Sequence, residues 1–118
     1  MILVSINQQR FELALNDSKA AREFEALLPL TVEMKHVNGN EVYAPLGENF
    51  TSQDKQAGNI HAGDVKLWQG DGLVLFYEDF VSSYSYTDLG SILDSSGLAE
   101  ALKHANNVTF MKEEKGRK

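Results

Sequence analysis

The chain has no cysteine and only three arginines, and each scarcity closes off a class of function. Without thiols there is no disulfide framework, no thiolate nucleophile and no sulfur-ligated metal. The arginines are Arg10, Arg22 and Arg117, and the net charge is −6. A phosphate backbone would be repelled, so nucleic acid is not an expected partner. No apolar run approaches the ~20 residues of a membrane helix. The opening run, Ile2 to Ile6, is too short for a signal-peptide core and has no basic segment before it. The expectation is a cytoplasmic protein with no membrane partner.

What is present fits one globular domain: 118 residues, 42% hydrophobic and 24% charged. The domain is expected over residues 1–111. Residues 112–118 carry four of the eleven basic side chains, mixed with Glu113 and Glu114, and are expected to be a flexible charged tail.

Strand periodicity dominates. Ile2, Val4 and Ile6 alternate with Leu3 and Ser5, and Phe11, Leu13 and Leu15 repeat the pattern beyond a polar break at 7–9. Between Asn16 and Pro29 the period lengthens to three and four. Ser18 and its neighbours supply caps for one clear helix, with Ala20, Phe24, Leu27 and Leu28 on its apolar face. Leu30 to Lys35 alternates again, and Asn38-Gly39 predicts a type I′ hairpin returning through 41–44. Further strands are expected at 65–68, 73–77, 89–93 and 108–111, and a short helix near 98–104. Leu73 to Tyr77 is wholly apolar or aromatic, the mark of a strand buried on both faces. Residues 45–62 and 78–88 lack periodicity and are expected to be long, functional loops. The tally is mainly β, about eight strands with one or two helices, which suits a closed barrel.

Candidate chemistry is sparse. His36, His61 and His104 have no metal-ligand spacing, so no metal and no cofactor is expected. Gly63-Asp64 and Gly70-Asp71-Gly72 are turns rather than phosphate cradles. Glu78 and Asp79 are adjacent on an extended chain and point apart, so they make no acid–base dyad. The segment with Phe80, Tyr84 and Tyr86 offers apolar bodies with hydroxyl tips. With Trp68, Tyr77, Glu78 and His61, these residues are expected to line a ligand site at one barrel mouth, framed by the two long loops.

Several stretches, in order, resemble one family. They are Leu27-Leu28-Pro29-Leu30-Thr31, Gly63-Asp64, Phe76-Tyr77, Ser83-Tyr84-Ser85-Tyr86, Leu89-Gly90 and Gly97-Leu98. Together they resemble the bacterial cyclophilin-like proteins, small barrels without an established function, over nearly the whole chain from Ile2 to Met111. The resemblance implies a closed eight-stranded barrel with helices at its ends. True cyclophilins use an arginine and a phenylalanine near a Phe-Met-x-Gln stretch to isomerise prolyl bonds. That stretch is not reproduced, and no arginine lies between Arg22 and Arg117. The first expectation is therefore a non-catalytic binding module for a small molecule or peptide. The alternatives are a diverged peptidyl-prolyl isomerase and a protein-interaction domain; the oligomeric state is left open.

Overall fold

The computed structural model describes residues 1–104 and 107–113. Two alternating segments open the chain, β1 (Ile2–Ile6) and β2 (Gln9–Leu15), and pair as an antiparallel hairpin. Helix α1 (Lys19–Glu25) follows, its start fixed by the Ser18 hydroxyl, which accepts from the Ala21 amide at 3.1 Å. It stops before Leu27 and Leu28, shorter than its apolar spacing predicts, and buries Ala20, Ala21 and Phe24. The Phe24 ring meets Phe110 edge-on at 5.4 Å.

The single strand expected over Leu30–Lys35 is two. Segment β3 (Leu30–Glu33) pairs with β10 (Asn107–Lys112), whereas β4 (Lys35–Val37) pairs with β5 (Glu41–Pro45). Met34, fully buried, is the bend between them. The main sheet runs β3-β10-β1-β2-β9-β7-β8-β5-β4, with β7 at Asp64–Trp68, β8 at Gly72–Phe76 and β9 at Phe80–Ile92. Its two ends are thus the two halves of one bent segment, which nearly closes the barrel. Counted so, the barrel has the eight staves expected from the sequence. Asn38 (φ 60°) and Gly39 (φ 72°) make the β4–β5 turn with both central residues left-handed, as a type I′ turn requires.

The two expected loops are in large part strands: 46–54 has no regular structure, but the second part of the first segment and most of the second are paired. Residues Lys55–Ile60 form β6, which pairs with the Phe80–Tyr86 half of β9. The rest of β9 pairs with β7 and β2. The register shifts between Val65 and Lys66, so that Leu89 is an extra residue in β9, a bulge of the kind that bends a strand. Thirteen residues therefore serve first an arm and then the barrel wall. Gly90 lets β9 meet β2: a Cβ there would run into the backbone of Ala14 and Leu15.

The arm explains why β8 is buried on both faces. Leu73 and Leu75 enter the main core with Val65, Leu67 and Val42. Val74 and Phe76 point the other way and join Ile60 and Tyr86 in a second cluster beneath the arm. Helix α2 (Leu98–Lys103) buries Leu98, Ala101 and Leu102 in the main core. Strand β10 runs to Lys112, one residue into the expected tail, and the Glu113 amide donates to the Met1 carbonyl at 3.2 Å. Residues 114–118 of that tail lie outside the described residues.

If the bend at Met34 closes the barrel, Met34→Ala should cost about 2–5 kcal/mol in urea unfolding, as buried truncations do. Leu93→Ala, at a position 59% exposed, should stay within about 0.5 kcal/mol. Equal costs would mean that the bend is not a packing point.

Candidate functional site

The outer face of β5, β7 and β8 is where the arm leaves space. Alternation along β5 sends Val42 and Ala44 to the main core and Glu41 and Tyr43 outward. Along β7 it sends Trp68 outward, and along β8, Val74. Tyr84 and Tyr86 of the arm face them, and Val37 and Asn38 at the β4–β5 turn close one end. These residues enclose a recess of about 350 Å³. That size is within the range of small-molecule sites.

The aromatic rings are set by close packing. Tyr43 and Trp68 meet edge-on with centroids 6.3 Å apart. Gly72 makes room for this, since a Cβ there would strike the Tyr43 ring. Phe76 holds Tyr86 edge-on at 5.5 Å and Phe80 at 5.7 Å. A second, more polar recess of about 300 Å³ adjoins the first, and Asn38, Glu41, Tyr84 and Tyr86 line both. Asn40, Phe80, Ser82 and Ser83 extend it.

Glu41 is the unusual group. It is 7% exposed, and burial raises its pKa above the ordinary 4.5 with no cation or hydrogen-bond donor acting to lower it. Burial also raises Tyr86, with the nearby Glu41 charge adding to it and Ser82 opposing. The other buried charge on this face is satisfied. Lys66 Nζ donates to Asp88 Oδ1 at 2.5 Å, and Lys55 lies 3.3 Å from the same carboxylate. Burial pushes Asp88 up, but the two lysines together outweigh it and leave its pKa lowered.

The seven residues singled out from sequence do not converge. Trp68, Tyr84 and Tyr86 line the first recess, and Phe80 lines only the second. Tyr77 is engaged elsewhere. His36 Nε2 lies 3.1 Å from the Leu102 carbonyl, which can only accept, so Nε2 carries the proton. In the neutral ring Nδ1 then accepts from the Tyr77 hydroxyl at 2.9 Å, a tether joining β4, the residue that follows β8, and α2. His61 is exposed, 4.0 Å from Asp64, which accepts from the His61 amide. Glu78 is exposed and lines neither recess, while its neighbour Asp79 accepts from the Ala62 amide at 2.7 Å. The aromatic site is on the outer face beneath the arm, not in a mouth framed by loops, because the two segments pair with each other. Sequence reasoning missed Glu41 and Tyr43; their signal was a shared face of β5, opposite Val42 and Ala44. No group of three or more potential metal ligands occurs among the described residues, and none of their helices is long and apolar enough to cross a membrane.

Comparison with known proteins bears on the whole of this architecture. A family model described as "Cyclophilin-like family" matches residues 4–111. Among solved structures the chain is similar to that of McbB in complex with tryptophan, with a TM-score of 0.76 at 17% identity. The alignment covers 100% of this chain and 46% of that one, so the chain spans about half the length of McbB. At this identity the likeness concerns the fold. No curated protein matches the chain.

The raised pKa of Glu41 has a sign that can be measured. The folded state holds this proton more tightly than the unfolded state, so stability falls as pH rises from about 4.5 through the folded pKa. Below that window both states are protonated and the penalty is absent. Glu41→Gln should therefore gain thermal stability relative to the parent between pH 4 and pH 7.5. A variant that instead loses ground over that interval would show that the carboxylate is compensated by a partner.

Proposed function

The chain belongs to the cyclophilin-like family, and on that premise we propose that it is a non-catalytic binding module for a small organic molecule. The observation that carries this reading is the recess of about 350 Å³ walled by Tyr43, Trp68, Tyr84 and Tyr86. Aromatic walls with a few polar groups are the usual composition of small-molecule sites, where apolar contact supplies affinity and the polar groups fix orientation. Tyr84 is 61% exposed although it lines the recess, so a ligand seated there would cover a ring the fold itself leaves in water.

The wall chemistry favours binding over reaction. The hydroxyls of Tyr84 and Tyr86 and the carboxylate of Glu41 are present, but the histidines stand apart from them. His36 is tied to Tyr77 and Leu102, His61 sits by Asp64, and His104 is 3.2 Å from Glu100. Among the described residues no arginine lines the recess: Arg10 is in β2 and Arg22 is in α1. McbB, which shares the fold, is seen with tryptophan bound. A protein that contains this fold over 46% of its length thus takes a small organic molecule, which is the class of occupant proposed for the recess.

The test uses the only tryptophan in the chain as reporter. In ¹⁵N-labelled protein the Trp68 indole N–H gives one cross-peak. Screening a set of small aromatic fragments should shift that peak, and Tyr84→Ala should weaken the binding of the hits by roughly tenfold, the loss of one large apolar contact. Because Tyr84 is exposed, the variant should keep the parent's melting temperature. A fragment set that leaves the Trp68 peak unmoved would end the proposal.

A further inference from the structure

We infer that the occupant of this site is an organic cation, a molecule with an ammonium group on an apolar body, held with its charge against Glu41. The inference rests on the binding reading above and adds the charge of the ligand.

Three independent features converge. Glu41 is a carboxylate 7% exposed in a wall shared by both recesses, and no cation or donor among the described residues answers it. A buried acid in that position costs stability unless something supplies positive charge or donors. The one buried lysine on the same face, Lys66, is already committed to Asp88. Next to Glu41 in sequence, the Oδ1 of Asn40 is buried with no hydrogen-bond partner, and Asn40 lines the second recess. Neither this acceptor nor the Glu41 carboxylate has a donor among the described residues, so the wall favours a ligand that donates. An ammonium group offers up to three N–H donors and a full charge, whereas a hydroxyl offers one donor and none.

The third feature is the aromatic wall. Tyr43, Trp68, Tyr84 and Tyr86 line the recess that opens onto Glu41, and aromatic faces attract cations through the ring quadrupole. An anion would meet the opposite: Glu41 in the wall, no lysine or arginine among the described residues that line either recess, and a chain of net charge −6. The arrangement therefore selects by sign. The apolar part of the molecule enters the aromatic recess, the ammonium stands where the two recesses meet, and polar substituents run along Ser82 and Ser83.

Three probes of one size and different charge separate the possibilities: benzylammonium, benzyl alcohol and benzoate, titrated at pH 7.5 against the Trp68 indole cross-peak. Benzylammonium should bind at least tenfold more tightly than benzyl alcohol, and benzoate should not bind. In Glu41→Gln the preference for benzylammonium over the alcohol should collapse to about twofold or less. If benzyl alcohol binds as tightly as benzylammonium to the parent protein, the ligand is not selected by charge, and the binding reading stands alone. If benzoate binds best, the inference is reversed. If none of the three moves the peak, both the inference and the binding reading fall. The parent-protein comparison decides the matter even if Glu41→Gln does not fold.

Discussion

The outer face of β8 is the constraint on which the rest of this molecule turns. Val74 and Phe76 are buried although they point away from the barrel core. A barrel wall normally alternates between core and solvent, and two large apolar side chains on its outside would demand a cover. The cover is the arm, β6 with the first half of β9, and Phe76 is its anchor through contacts with Phe80 and Tyr86. Because the arm is seated on Phe76, it stands off the sheet farther along, over Tyr43 and Trp68. The recess is the space so left. Fold and site are in this sense one packing problem.

Electrostatics divides the same face in two. Toward Asp88 the arm satisfies its buried charge, with Lys66 and Lys55 converging on one carboxylate. Toward Glu41 it does not, and the carboxylate faces aromatic rings and open space. Paired groups of the first kind hold an arm in place, while an unpaired one is a stability cost that a binding partner can offset. The contrast between two acids on one sheet face separates what belongs to architecture from what is available to a ligand.

Much of this was legible in the sequence where the two-residue period was clean. β1 and β2 announced themselves through Ile2, Val4, Ile6, Phe11 and Leu13, and Asn38-Gly39 named its own turn. The unbroken run from Leu73 to Tyr77 implied a strand covered on both sides, and the strand is so covered through Phe76, with Tyr77 half-buried just beyond it. The arm was illegible for physical reasons. In β6 only Ala57 and Ile60 join the second cluster, too few to show a period. In β9 the alternation is broken by the Leu89 bulge and by the passage of one strand from arm to barrel. Met34 hid its bend because the alternation of buried and exposed residues from Leu30 to Lys35 continues through it. The aromatic members of the site were visible as residue types, but Glu41 looked like an ordinary solvent-facing acid until β5 and the arm were placed together. Tyr77, Glu78 and His61 line neither of the two recesses beneath the arm.

The seating of the arm on Phe76 is the claim from which the others descend, and isotope-edited NOE spectroscopy reads it directly. With selectively labelled Phe and Ile, cross-peaks are expected between the Phe76 ring and both the Ile60 methyl groups and the Tyr86 ring. Their presence would establish the second core and the recess bordering it. A Phe76 ring without them, in a protein whose β7–β8–β5 cross-strand contacts are intact, would mean that the arm is not seated and that no such recess exists.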